Sequence, residues 1–174
     1  MYGRLSQYRS IQDFVAALSM PNALLNYVGG QATECYNAAP RTQLALFHQK
    51  GESLRADMVC WGWRPQWAHS AVAPINAHVE KVAHRPFFRS AWPHRAILAI
   101  DNWFEWANEG GPKKQPYLIR HRDRSPIFCA AIGQYPSGEH EPGEHHGFVL
   151  LTADSAGGMV DIEDRRPVAV SAEL

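Results

Sequence analysis

Hydrophobic positions in this chain come in short runs, parted by glycines, prolines and polar pairs, and that spacing predicts many strands and few helices. The run Ala96-Ile97-Leu98-Ala99-Ile100 reads as a buried strand. Leu44 to His48 and Arg55 to Trp61 read as the two strands of a hairpin that turns around Lys50-Gly51-Glu52. Further strands are expected at about 103–107, 115–121, 126–133 and 147–153, with turns at Glu109-Gly110-Gly111-Pro112 and Tyr135-Pro136-Ser137-Gly138. Helical spacing is scarce. Ser10-Ile11-Gln12-Asp13 resembles a capping box, with Asp where Glu is more usual. It opens a short helix whose apolar face holds Phe14, Ala17 and Leu18, and Pro21 follows its end. Val79 to Ala83 and Pro86 to Trp92 form two shorter helical pieces, broken at Pro86. Gly29-Gly30 marks a turn, and Pro65 and Pro74 bracket a loop rich in Trp and Ala. Val168 to Val170 reads as an apolar strand, and Ser171-Ala172-Glu173-Leu174 as the first turn of a helix.

These elements define an α+β fold: a curled, partly barrel-like mixed β-sheet with short helices around it. A length of 174 residues suits a single domain with one real core. No apolar run reaches the roughly 18 residues needed to span a bilayer, and the opening Met1-Tyr2-Gly3-Arg4-Leu5 lacks the apolar stretch of a signal peptide. A cytoplasmic location and no membrane partner are expected. Cys35, Cys60 and Cys129 form no CxxC pair, so buried free thiols are expected rather than disulfides or a zinc ribbon. The acidic and His-rich run Glu139 to His146 contains Pro-Gly and no HExxH spacing; it reads as a hairpin loop, and no metal or cofactor is expected. Net charge is zero but unevenly spread. Residues 1–100 hold ten basic and five acidic side chains, and residues 101–174 hold seven and twelve. Broad wrapping of duplex DNA is thereby disfavoured, while a local phosphate-binding patch in the basic half is not.

Candidate chemistry starts at Asp101-Asn102-Trp103-Phe104-Glu105-Trp106. Glu105 stands among three aromatics at the end of the apolar run, where loss of water would raise its pKa toward the range useful for proton transfer. The alternative is an exposed Glu on a strand whose aromatics face the core.

Several short signatures then line up in order. They are Met1-Tyr2-Gly3-Arg4, Tyr36-Asn37-Ala38-Ala39-Pro40, Trp61-Gly62-Trp63-Arg64-Pro65-Gln66-Trp67, Ile75-Asn76-Ala77-His78-Val79-Glu80 and Arg85-Pro86-Phe87-Phe88-Arg89. Trp103-Phe104-Glu105-Trp106, Lys114-Gln115-Pro116-Tyr117, Leu151-Thr152-Ala153 and Val160-Asp161-Ile162-Glu163-Asp164-Arg165-Arg166-Pro167 continue the series. Together they resemble the SOS-response-associated peptidase (SRAP) family of abasic-site processing proteins, across nearly the whole chain. The resemblance implies a SRAP-like domain over residues 1–174 that lacks the C-terminal part of the family domain. It also implies single-stranded DNA carrying abasic sites as the partner. In the family a Cys at position 2, exposed by loss of the initiator Met, condenses through its amine with the ring-opened sugar aldehyde, and its thiol closes a stable thiazolidine. A Glu at the Glu105 position moves protons, helped by an Asn at Asn76 and a His at Glu163, while an Arg at His78 holds phosphate.

Three of those positions differ here: Tyr2 replaces the Cys, His78 the Arg and Glu163 the His. Tyr2 offers a phenol on a rigid ring, through which no five-membered ring can close. A bulky second residue also disfavours removal of Met1, which leaves the free amine one residue further out. Neutral imidazole is a poor substitute for a guanidinium at a phosphate. Glu163 either stands near Glu105 and shares a proton with it or points to solvent and pairs with Arg165 or Arg166. Arg4, Arg85 and Arg89 are candidate phosphate contacts, and Trp67 and Trp106 match family positions near DNA, where a base can stack on an aromatic face. Asn37 and Thr152 match polar residues beside the nucleophile, or else serve to satisfy backbone groups. The function expected is abasic-site binding with impaired crosslinking. The alternatives are residual lyase or peptidase activity through the N-terminal amine and Glu105, and a non-catalytic DNA-binding or scaffold copy.

Overall fold

The computed structural model describes residues 3–18, 25–27, 34–51, 53–69, 72–136, 143, 145–157 and 162–172. Met1 and Tyr2, the Gly29-Gly30 turn and most of the Glu139–His146 run lie outside them. In chain order the elements are β1 (Arg4–Gln7), α1 (Ile11–Ala17), β2 (Leu25–Tyr27), β3 (Cys35–Ala38), β4 (Gln43–Lys50), β5 (Ser53–Cys60), β6 (Asn76–His78) and α2 (Val79–Val82). They continue with β7 (Arg95–Ile100), β8 (Asn102–Ala107), β9 (Gln115–Ile119), β10 (Ile127–Gln134), β11 (Gly147–Asp154), β12 (Arg165–Pro167) and β13 (Ala169–Val170). Short 3-10 turns cover Gln66–Ala68 and Pro86–Phe88.

The strands form two sheets. A small one runs β3-β1-β8-β9, and a large one runs β12-β11-β10-β7-β4-β5-β2, with β6 and β13 added beside β11 and β10. Most pairs are antiparallel; β6 with β11 and β2 with β5 are parallel. Large as it is, the second sheet curls without closing into a barrel. A single parallel bridge between Trp61 and Phe148 brings the end of β5 back to β11, supported by Gly62 N–H donating to Phe148 O at 2.8 Å.

Apolar character on both faces of β7 has a direct cause. Leu98 and Ile100 pack into the cluster between the two sheets, with Leu5, Trp61, Trp103 and Phe148. Ala99 faces the other way, into a cluster with Ile11 and Phe14 of α1. Ser10 caps α1: its hydroxyl accepts from Asp13 N–H at 3.1 Å and donates to the Asp13 carboxylate at 2.7 Å. A third cluster, built on Trp63, Phe88, Val149 and Leu151, seats α2 and the Pro86 turn.

Two buried polar side chains clamp the small sheet to the large one. Gln7 donates to Ala45 O at 3.0 Å and Ala99 O at 2.8 Å and accepts from Ala45 N–H at 2.8 Å. Asp101 accepts from Tyr8 N–H at 2.8 Å and pairs with Arg9 Nε at 2.9 Å. These bonded groups hold β1 in one register against β7 and β8.

Where the curled sheet meets itself, backbones touch. A Cβ on Gly147 would collide with the carbonyl oxygen of Gly62, and one on Gly133 with that of Gly147. Gly147→Ala should cost about 3 kcal/mol and lower the melting temperature by about 6–12 °C. A thermal melt indistinguishable from the unmodified chain would refute that account of the closure.

Several expectations need correction. Only Cys129 is buried among the three free thiols; Cys35 and Cys60 are half-buried, because both lie near strand ends. Ser171 and Ala172 are not helical, and residues 173–174 lie outside the described set. The short strands β1, β3, β6 and β12 go beyond what the hydrophobic pattern predicts. Their sequences, such as Cys35-Tyr36-Asn37-Ala38, carry no long apolar run, and pairing with longer neighbours makes them strands.

Candidate functional site

Glu105 lies on β8 with its side chain on the inward face, shared with Trp103 and Ala107, and only 1% of it is exposed. The exposed-Glu alternative is therefore excluded. Burial pushes its carboxyl up to about 7, the positive amino terminus of the chain opposes that shift, the charge of Glu163 adds to it, and the Trp103 indole N–H works against it. A carboxyl tuned near neutrality can both give and take a proton, which suits general acid–base catalysis.

The start of the described chain arrives at this acid by strand pairing. β1 runs antiparallel to β8 with Arg4 opposite Phe104 and Leu5 opposite Trp103, so the register leads Gly3 toward Glu105. A Cβ on Gly3 would sit 4.0 Å from Ile75 Cδ1, the residue that leads into Asn76. Ile75 is itself fixed: its carbonyl accepts from Leu150 N–H at 2.9 Å and from the Trp61 indole at 3.1 Å. Glu105, Gly3 and the Ile75-Asn76 step thus meet at the seam between the two sheets.

Asn76 opens β6, opposite Leu150, and His78 closes it, opposite Thr152. Both line a cavity of about 450 Å³, together with Lys81, Arg85 and Phe87. Lys81 is a lining residue that the sequence reading misses, and nothing in its local sequence singles it out. Thr152 is fully buried and its hydroxyl donates to Ala77 O at 3.4 Å, so it ties β11 to β6.

Arg165 spans three elements. It donates to both oxygens of Glu80 at 2.9 and 3.2 Å, to Asp154 at 2.6 Å and to Thr152 O at 2.5 Å. These partners hold β12 against β11 and α2. Glu163, two residues earlier, bears electrostatically on Glu105. Of the two readings for Glu163, its charge on Glu105 fits the first, while the engagement of Arg165 with Glu80 and Asp154 leaves Arg166 as the partner open to the second.

Other expected residues lie elsewhere. Arg4 is exposed and donates to Asn37 Oδ1 at 3.2 Å on the outer side of the small sheet. Asn37 therefore meets a side chain rather than backbone groups. Trp106 lies on the opposite face of β8 from Glu105, its ring 6.4 Å from Phe104, because neighbouring strand residues point to opposite sides. Trp67 is 68% exposed, and its ring meets Phe87 edge-on at 5.9 Å. Arg85 and Arg89 are both exposed, one at each end of the Pro86 turn.

An acid–base group at a two-sheet seam, beside a cavity that carries cationic side chains, is the class of site this fold presents. The family model for SOS response associated peptidase (SRAP) matches residues 1–174. The chain is 40% identical over 174 residues to the abasic site processing protein YedK of Escherichia coli, covering 99% of this chain and 77% of that protein. It is 26% identical to the abasic site processing protein YoaM of Bacillus subtilis, covering 98% and 75%. The crystal structure of a phage-related protein from Bordetella bronchiseptica superposes with a TM-score of 0.77 at 32% identity, over 98% of this chain and 78% of that one. A protein from Bacteroides thetaiotaomicron shares the fold, with a TM-score of 0.72 at 18% identity, over 98% and 77%. This chain belongs to the SRAP family. Among the described residues no helix is long and apolar enough to cross a membrane.

Proposed function

We propose that this protein binds single-stranded DNA at abasic sites and has lost the family's permanent crosslink. The observation that carries the reading is Glu105: a buried carboxyl, raised to about 7, toward which the register of β1 leads Gly3. Abasic sugars open to an aldehyde, and the chemistry of an aldehyde with an amine is proton-limited. An amine nitrogen adds to the carbonyl carbon, the oxygen takes up protons and leaves as water, and a C=N bond remains. Glu105 is suited to deliver a proton to the departing oxygen. Asn76 is assigned to orient the sugar, and His78, Arg4, Arg85 and Arg89 to hold phosphates. Trp67 offers its exposed face to a base, worth about 1–3 kcal/mol of stacking. Asn37, Trp106 and Thr152 support these groups rather than touch the sugar.

The relatives are called abasic site processing proteins, which supports the abasic-site part of this reading, and Tyr2 supplies the reason for impairment, because a thiazolidine needs a thiol beside the amine. A second reading, a transient imine through the Met1 amine, is favoured by the amino terminus acting electrostatically on Glu105. An α-amine with pKa near 8 is partly neutral at pH 7 and so nucleophilic.

The test is incubation with labelled single strands, with and without a central abasic site. Tighter binding of the abasic strand and no heat-stable adduct are expected. Capture of an adduct only in borohydride would establish the imine. Equal affinity for both strands would overturn abasic-site recognition, and a heat-stable adduct would overturn the claim of impairment.

A further inference from the structure

Arg41 stands in a backbone conformation that an arginine rarely takes. Its φ is 77°, and among the described residues only Arg124 shares a positive φ without being glycine. In that left-handed region a Cβ crowds its own backbone, a cost that glycine escapes. Neighbouring bonds leave Arg41 no alternative. Its N–H donates to Trp61 O at 2.8 Å, Trp61 N–H donates to Thr42 O at 2.9 Å, and Thr42 N–H closes the turn onto Ala39 O at 3.1 Å. The Cys60 thiol donates to Arg41 O at 3.7 Å. Local strain that the surroundings enforce in this way gathers at binding and catalytic sites.

The place of this turn gives the strain a use. β1 is flanked by β3 on one side and by β8, which carries Glu105, on the other. β3 runs antiparallel to β1 with Leu5 opposite Ala38, so the end of β3 and the Pro40-Arg41 turn run out alongside the start of the chain. The Arg41 stem lies over Gly62, next to Ile75. A Cβ on Gly62 would sit 3.8 Å from Arg41 Cδ and 3.6 Å from Ile75 Cγ2, and one on Gly3 would sit 4.0 Å from Ile75 Cδ1. Arg9, Arg55 and Arg165 all pair with carboxylates, whereas among the described residues no carboxylate pairs with Arg41, which is exposed. A permanent cation with a planar fork of donors, standing un-neutralised on one flank of the seam, matches two oxygens of a phosphate.

We propose that Arg41 holds the phosphodiester next to the abasic sugar, from the side of β1 opposite Glu105, and that the left-handed backbone is kept because it aims the guanidinium there. This inference rests on the abasic-site reading above and adds to it a residue that lies outside the phosphate contacts expected from the sequence. Binding and stability are then in conflict at this one position: the residue the turn prefers is glycine, and the residue the strand needs is arginine.

The experiment takes the unmodified protein, Arg41→Gly and Arg41→Met through thermal melts and through fluorescence anisotropy with abasic and intact single strands. Arg41→Gly removes both strain and charge, while Arg41→Met removes the charge and keeps a Cβ with an unbranched stem. Arg41→Gly should raise the melting temperature by about 2–4 °C, and Arg41→Met should leave it unchanged. Both variants should bind the abasic strand about tenfold more weakly, the usual worth of a charge-assisted hydrogen bond. Their log–log salt dependence should be shallower by about 0.7, as for one lost phosphate contact on a single strand. Unchanged affinity and slope in Arg41→Met would overturn the phosphate assignment and leave abasic-site recognition standing. A melting temperature for Arg41→Gly at or below that of the unmodified protein would overturn the claim that strain is held there for binding. Equal binding of both strands by the unmodified protein, with Arg41→Met weakening both, would support the phosphate contact and overturn the abasic reading. Absence of all strand binding would overturn both.

Discussion

Tyr2→Cys is expected to convert the protein from one that leaves no heat-stable adduct on abasic single strands to one that leaves an adduct on most of them. The substitution restores two things together. A small second residue permits removal of Met1, and the new N-terminus carries an amine and a thiol two carbons apart. Once the amine has formed its imine with the sugar aldehyde, the thiol adds to the same carbon and closes a five-membered ring. Glu105 at the seam, β1 leading toward it and the Asn76 strand beside it are already in the fold, while His78 and Glu163 remain where the resemblance calls for Arg and His. Combining Tyr2→Cys with Glu105→Ala should slow adduct formation by about 10²–10⁴-fold, the usual worth of a positioned acid–base group. A denaturing gel checks both. If Tyr2→Cys forms no adduct, the pocket is not shaped for an abasic sugar, whatever the family resemblance suggests.

Glu105→Gln should stabilise the protein above neutral pH, an unusual result for a substitution in a candidate active site. The Glu105 carboxyl titrates at about 7 in the folded chain, against 4.5 in its unperturbed state. Between those values the folded chain keeps a proton that the unfolded chain has released. Its contribution to stability is therefore fully present below 4.5 and is lost as pH rises to about 7. At pH 8 the buried charge costs about 3 kcal/mol, and the neutral amide escapes it. A gain of about 6–12 °C in melting temperature is expected at pH 8, with little difference at pH 4.5. Glu163→Gln should reproduce a smaller part of this, because it removes a charge that raises Glu105. Equal melting temperatures for Glu105→Gln and the unmodified chain at pH 8 would mean that the carboxyl is not desolvated as the structure has it.

Much of the large sheet is legible in the chain. β4, β5, β7, β10 and β11 are long and apolar enough to announce themselves, and Ser10 with Asp13 marks the start of α1. The candidate site is legible as a set of residue types and only partly as an arrangement. Trp106 adjoins Glu105 in sequence and carries a family position, yet alternation along β8 sends it to the other face. Asn37 reads either as a polar residue beside the nucleophile or as a partner for backbone groups, and it meets the Arg4 side chain. Arg165, which the sequence marks only as a possible partner of Glu163, ties β12 and the neighbouring β11 to α2, some 85 residues earlier. Nothing local in Arg4–Gln7 or Asn76–His78 calls for a strand; both are short segments drawn into sheets by their neighbours.

What the chain carries in itself is chemistry and local form: which acid sits among aromatics, which position lacks sulfur, where turns and caps fall. Those depend on neighbours a few residues away, and short-range sterics and hydrogen bonds suffice to set them. Folding in three dimensions settled the rest. Burial of Glu105, the meeting of β1 with β8 near Ile75, and the cavity beside Asn76 and His78 all arise from contacts between segments tens of residues apart. Loss of water and electric field at a side chain depend on everything that surrounds it, and no local run of sequence contains that.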